Sequence, residues 1–275
     1  LSGITTIFPQ SKSSVAAIKR NVFLVRTDLP ESMKAILLQI AYQLEKNLGE
    51  EGRTAARYFS GIAAGGTGTA FLVRGEDGKV YAITNRHVLE YAETATLESH
   101  AENVHKHLRI LCVDGDVDLA VLEFRGELSE DMGPLTLSTK LPDEATEVIA
   151  AGYPGLGDRP SWQITKGSIS NNNVKSENLG AEHAFMQHSA QIDPGNSGGP
   201  LLAKVGKSYE VIGVNTLTIR QRQNTNMAIP ARYVEKILKK AVAIQAMLKS
   251  EKKTTAALEK SARTLASELS NEHPN

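Results

Sequence analysis

The sequence predicts a mainly β protein, a barrel or sandwich, with a helical segment near its start and a long helical segment at its end. Three observations lead there. Short runs rich in β-branched and aromatic residues, separated by turn residues, fill the chain from about residue 67 to 230. The helical crossovers that a parallel sheet requires are missing between those runs. Apolar residues change to a three-four spacing only after Pro30 and after Pro230.

Residues 1–13 are polar and without period, and read as a leader. Residues 15–26, VAAIKRNVFLVR, contain a β-rich stretch expected to be the first strand. From Pro30-Glu31-Ser32 a helix is expected through Met33, Leu37, Ile40, Leu44 and Leu48, ending at Gly49 with a left-handed cap. Residues 49–66, charged and then rich in Gly and Ala, read as a mobile connection. TAFLVR and KVYAIT flank Gly75-Glu76-Asp77-Gly78 as a hairpin. Further strands are expected at 108–113, 119–124, 147–152, 162–170, 185–192, 200–205 and 209–217, with a polar loop at 171–184. Beyond Pro230, Val234, Leu238, Ala241, Ile244 and Leu248, then Leu258, Ala262, Leu265 and Leu269, mark one long amphipathic helix or two with a break near Lys252–Thr254. That stripe fits packing against another helix, with 31–48 the internal candidate, and fits equally a seat on the barrel or a linker.

The totals exclude several classes. The chain has 275 residues, 41% hydrophobic and 23% charged, ordinary for a globular protein with a sizeable core. Lys+Arg and Asp+Glu are both 31, which gives no support to nucleic acid or an anionic membrane as main partner. No apolar run approaches the roughly 18–20 residues of a membrane span. The first residue is Leu, so removal of a signal or anchor upstream is an expectation. Cys112, the only cysteine, sits in the apolar run LRILCV and reads as a core residue; it leaves the redox compartment open.

Residues 195–200 read Gly-Asn-Ser-Gly-Gly-Pro. Glycines around Ser197 permit a tight turn whose N–H groups can hold an oxyanion, so this Ser is either a nucleophile or part of a surface loop. A base and an orienting acid decide. His87, in Ile-Thr-Asn-Arg-His-Val-Leu, lies where a strand ends, and Asp118, in Asp-Gly-Asp-Val-Asp-Leu-Ala-Val, enters an apolar strand. A calcium-loop reading of Asp114, Asp116 and Asp118 fails, because Leu119 and Arg125 stand where Gly and Glu are required. The nucleophile elbow of α/β-hydrolases fails too: the chain order is His, Asp, Ser, and Pro200 opens a strand rather than a helix. His100, His105 and His107 form no recognisable ligand set and read as solvated surface, with no metal or cofactor expected.

The order His87, Asp118, Ser197 is that of chymotrypsin-like proteases. GTGTAFLV, ITNRHVL, DLAVLE, VIAAGYPG, QITKGSIS, FMQHSAQIDPGNSGGPLL, VIGVNT and MAIP resemble, in order, the motifs of the HtrA (Deg) branch of trypsin-like serine proteases, over most of residues 66–236. The resemblance implies a chymotrypsin-like double β-barrel, here with an inserted helix on the N-terminal side and a long C-terminal helix. It implies a trypsin-like domain at 14–236 with a helical insertion at about 30–48, followed by a C-terminal helical extension at 237–275. It implies a catalytic triad of His87, Asp118 and Ser197, an oxyanion hole from the N–H groups of Gly195 and Ser197, and Thr216 as a donor to Asp118. It further implies protein or unfolded-peptide substrates and the bacterial periplasm or cell envelope as compartment.

Departures shape the rest of the expectation. The residue before the nucleophile is Asn196, which lacks the charge needed to pair with a new N-terminus. Activation by clipping is therefore not expected, and ordering of loops by substrate or partner takes its place. Gln191, six residues before Ser197, provides no fixed carboxylate, and with Thr216, Thr218 and Asn226 it forms a polar-neutral substrate-binding set. A small or medium uncharged residue is expected at the cleaved position. No segment resembles a PDZ domain, and the helices at 31–48 and 231–269 are candidates for homo-oligomer or partner contacts. The leading reading is a serine endopeptidase; the alternatives are a chaperone-like or peptide-binding module with a poorly formed site, and an esterase-like hydrolase on the same fold.

Overall fold

The computed structural model describes residues 14–89, 92, 94–101, 104–128, 133–155, 160–175, 183–218 and 224–272. The expected leader lies outside the described residues. Among the described residues twelve strands form two closed, antiparallel, six-stranded barrels. The first runs β1 (Val22–Asp28), β2 (Thr67–Arg74), β3 (Val80–Asn85), β6 (Leu119–Glu123), β5 (Val104–Asp114), β4 (Thr94–Glu98) and back to β1. The second runs β10 (Pro200–Val205), β11 (Ser208–Thr218), β12 (Asn226–Pro230), β9 (Phe185–His188), β8 (Gln163–Val174), β7 (Glu147–Gly152) and back to β10.

Side chains along the strands divide by parity, as a pleated strand requires. In β2, Ala70 and Leu72 fill the first barrel, while Phe71 and Val73 face the seam between the barrels. In β6, Ala120 and Leu122 point into the barrel, and Leu119 and Val121 point to the seam. Both faces are buried, which is why these strands read as continuous apolar runs. The seam continues through Ala151, Leu202, Val211, Val214 and Ile229 of the second barrel.

Among the described residues three α-helices accompany the barrels, and here the structure departs in part from expectation. Residues 15–20 are not strand: α1 (Val15–Arg20) is a single helical turn and a half, capped by Ser14 Oγ accepting from Ala17 N–H, and the strand begins at Val22. The helix after Pro30 does break at Gly49 (φ 53, ψ −125), but residues 50–63 are a second helical arm, so α2 (Glu31–Ala63) is bent there rather than followed by a mobile connection. Gly52 makes the return possible, since a Cβ there would stand 2.2 Å from the Leu44 carbonyl oxygen. Leu29, Leu37 and Ala63 bury the base of this hairpin. α3 (Ala231–Glu272) is one continuous helix, the first of the two expected alternatives, with no break at Lys252–Thr254. Its stripe Val234, Ile237, Leu238 and Ala241 joins the seam cluster, so its first half is seated on the barrels and not on α2. At about 1.5–3 kcal/mol for each large side chain fully buried, those residues anchor the helix strongly. Two smaller corrections concern the sheets: β4 matches none of the expected strands, and β8 reaches Val174, into the expected polar loop.

Candidate active site

The site forms where the two barrels meet. Register places the first two residues side by side: Asn85 at the end of β3 pairs with Leu119 at the start of β6. The residues just beyond, Arg86–His87 and Asp118, must therefore be neighbours. Arg86 N–H donates to the Asp118 carbonyl (3.1 Å), and Asn85 Nδ2 donates to the same oxygen (2.9 Å). Asp118 has φ +61, a left-handed conformation that Asp tolerates better than most residues. His87 opens a 3₁₀ turn, His87–Leu89. Its N–H donates to Asp118 Oδ1 at 3.0 Å, and its Nδ1 lies 2.7 Å from Asp118 Oδ2. A carboxylate only accepts, so Nδ1 carries the proton and Nε2 is left as the basic nitrogen.

A third donor reaches the same carboxylate from the second barrel. The β11–β12 register shifts between Asn215 and Leu217, which leaves Thr216 outside the ladder. Its Oγ1 donates to Asp118 Oδ2 at 2.9 Å, and its carbonyl accepts from Ser197 Oγ at 3.0 Å. The Ser197 hydroxyl thus rests on Thr216, its one hydrogen bond among the described residues, and not on His87. His87, Asp118, Thr216 and Ser197 are brought together as expected.

The turn carrying Ser197 is held tightly. Asn196 N–H donates to Asp193 O (2.9 Å), Gly198 N–H to Asn215 O (2.9 Å), and Gly155 N–H to Pro194 O (2.9 Å). Gly195 has φ +104 and Gly198 φ +85, where only glycine is unstrained; at Gly198 a Cβ would lie 2.2 Å from both Thr69 O and Thr84 Oγ1. The N–H groups of Gly195 and Ser197 donate to nothing among the described residues, which leaves them available to a ligand. Asn196 is buried and its Oδ1 lies over Gly152, where a Cβ would come within 2.4 Å.

The four substrate-set residues divide. Thr216 directs its hydroxyl to Asp118. Asn226 is buried, pairs with Thr218 and with His188, and its Nδ2 donates to Ala190 O at 2.9 Å. Gln191 is exposed, with its carbonyl accepting from Thr165 Oγ1 at 2.7 Å. The Thr218 side chain lies outside the described residues.

Sequence reasoning missed two residues beside this site. Thr69, fully buried in β2, grips the Ser197 turn from the first barrel; the only signal is its place in GTGTAFLV. His183 packs on Phe185 and Tyr233, with ring centroids 4.4 and 5.3 Å away. Burial lowers the His183 pKa, against the Asp116 backbone and the charges of Asp114 and Asp118, which act to raise it. Of the three expected surface histidines, His100 and His107 are exposed, whereas His105 is half-buried against Phe124 and Phe23, and burial lowers its pKa. Cys112 is half-buried beside the seam cluster, and burial raises its thiol pKa. Among the described residues no group of three or more His, Cys, Asp or Glu side chains is placed to hold a metal.

Two closed six-stranded barrels with a His, an Asp and a Ser gathered at their seam make the chymotrypsin-like architecture. The chain belongs to the trypsin-like peptidase domain family, whose model matches residues 68–214. It is 34% identical over 173 residues to the serine protease Do-like HtrB of Bacillus subtilis, covering 61% of this chain and 36% of that protein. It is 32% identical over 178 residues to the serine protease Do-like HtrA of the same organism, covering 62% and 38%. The chain thus spans little more than a third of the length of these relatives. In fold it is similar to the serine endoprotease of Yersinia pestis, with a TM-score of 0.57 at 21% identity over 88% of this chain and 68% of that one.

Proposed function

We propose that the protein is a serine endopeptidase acting on protein or unfolded-peptide substrates through His87, Asp118 and Ser197. The observation that carries this reading is the hydrogen-bonded chain from His87 through Asp118 to Thr216 and Ser197, with the N–H groups of Gly195 and Ser197 uncommitted beside it. In this reading Ser197 Oγ turns from the Thr216 carbonyl to His87 Nε2, which takes its proton as Oγ attacks the scissile carbonyl. The oxyanion accepts from Gly195 and Ser197 N–H, a donor pair of which each member is worth about 2.7–4 kcal/mol in the transition state. His87 then returns the proton to the leaving amine, Asp118 stabilising the imidazolium throughout. Water repeats the sequence on the acyl-enzyme. An extended substrate adds as a strand beside residues 214–218, where β11 runs past the end of its pairing with β10 at Val214 and keeps only β12 as a neighbour. With no carboxylate at Gln191 and the Asn226 amide engaged with Ala190, the cleaved bond follows a small or medium uncharged residue.

The test is labelling by a fluorophosphonate together with casein cleavage. Labelling of the wild type and none of Ser197→Ala supports the reading; an unlabelled wild type that leaves casein intact sinks it. A chaperone-like or peptide-binding role is the second reading, favoured by the Ser197 hydroxyl resting on Thr216, and the unlabelled outcome is the one it requires. A partner surface also belongs to the proposal: Ile36, Leu38, Tyr42 and Leu48 of α2 are each more than half exposed, an unusual density of apolar side chains facing water. No described helix is long and apolar enough to cross a membrane. The bacterial envelope is the compartment that the likeness to bacterial Do-like proteases favours, and cell fractionation tests it.

A further inference from the structure

We propose that Thr69 is the positioning residue of the oxyanion site, its hydroxyl clamping the Gly195 carbonyl so that the Gly195 N–H stays presented to the substrate. The inference rests on the peptidase reading and extends it to a residue of the opposite barrel.

Thr69 is 0% exposed, and every polar group it has is committed. Its Oγ1 donates to Gly195 O at 2.7 Å and accepts from Tyr153 N–H at 3.0 Å. Its N–H donates to Ser197 O at 2.8 Å, and its carbonyl accepts from Thr84 Oγ1 at 2.8 Å. One residue of β2 therefore holds the carbonyls on both sides of Asn196. Thr84 lies in β3, the strand that delivers His87, so the base and the nucleophile turn are tied to one another through Thr69.

The hydroxyl matters for the following reason. Gly195 sits between two peptide planes. The Pro194–Gly195 plane, which carries the N–H, is fixed by Gly155 N–H on Pro194 O, and the Gly195–Asn196 plane is held at its oxygen by Thr69 Oγ1 and at its N–H by Asp193 O. With both planes held, Gly195 keeps φ +104 and its N–H keeps one direction. Glycine has no Cβ to restrict it, so with Thr69 Oγ1 gone and only the Asp193 contact left on the second plane, Gly195 can rotate and its N–H can swing. The surroundings are shaped to the threonine: a Cβ at Gly152 would come 2.8 Å from its Oγ1, and a Cβ at Gly199 3.1 Å from its Cγ2. Valine has the same shape but cannot donate; serine can. Thr69 does not reach the substrate, so its loss registers in the transition state and not in binding.

The test uses the whole chain and compares wild type, Thr69→Val and Thr69→Ser on a peptide substrate, with thermal unfolding to establish the folded fraction. Thr69→Val is expected to lower kcat about 10²-fold with KM within about twofold, and Thr69→Ser to stay within about threefold of wild type. Wild-type kcat in folded Thr69→Val, or equal loss in both variants, overturns the inference. Should the valine variant not fold, Thr69→Ala against Thr69→Ser provides the same contrast. A wild type without activity sinks the peptidase reading instead; the clamp is then judged by hydrogen exchange at the Asn196 amide. That amide lies in the peptide Thr69 grips, and loss of the hydroxyl must accelerate its exchange if the clamp exists.

Discussion

Asp118 collects three donors from two barrels: the N–H and Nδ1 of His87 on one side and Thr216 Oγ1 on the other. Replacing the carboxylate by an amide keeps the volume and removes the acceptor that selects the Nδ1–H tautomer. Asp118→Asn is therefore expected to lower kcat about 10⁴-fold while the protein stays folded. Steady-state kinetics beside a thermal melt check this, and activity within tenfold of wild type would remove Asp118 from the mechanism. These residues were legible because their chemistry is tied to their type: few side chains can be base, acid or nucleophile, and chain order distinguishes the schemes. Thr69 was not legible. A threonine in a strand is what β structure alone selects, and nothing local says that its hydroxyl faces a turn more than a hundred residues away. Thr216 was expected as a donor to Asp118, but the bulge that aims it depends on pairing with β12 and leaves no trace in the run VIGVNTL.

At the scale of elements, strands with both faces buried, such as β2 and β6, announced themselves as apolar runs, and β7 and β10 begin and end where expected. β4, TATLE, buries only Ala95 and Leu97, too few to stand out from a polar loop. The second arm of α2 was hidden by composition. Its glycines and short side chains look like a connection, yet Gly52 is where the arm crosses the Leu44 carbonyl and Ala56 is buried. Gly52→Ala forces a Cβ against backbone oxygen, so the arms must part. The expected outcome is faster proteolysis within 50–63, with kcat on a short peptide unchanged, because the hairpin's buried base is a cluster separate from both barrels. Limited proteolysis read by mass spectrometry decides it; unchanged cleavage kinetics would mean that the arms do not meet at this glycine.

For the molecule as a whole, the site depends on two barrels staying locked across one apolar seam, so acid stability of the second barrel bears on activity. His188 of β9 is 0% exposed, among Ile169, Asn226 and Asn215. Neither ring nitrogen meets hydrogen-bond geometry among the described residues. Burial pushes its pKa from 6.5 down to about 4, and the Ala190 backbone and Asn215 oppose that only in part. The unfolded chain takes up a proton on this ring near its ordinary pKa, whereas the folded protein refuses it until near the lower value. Stability from this group is therefore complete above the ordinary value and drains away as pH falls towards the folded one, by about 3 kcal/mol in total. His105 and His183, also held down by burial, act with the same sign, so the decisive quantity is a difference between variants. His188→Gln removes the titration and keeps a polar side chain. Urea unfolding of both proteins at a series of pH values is expected to show a shallower loss of stability in the variant across that interval. Parallel curves would mean that the interior of the second barrel tolerates a charged His188, and that the acid limit of the fold is set elsewhere.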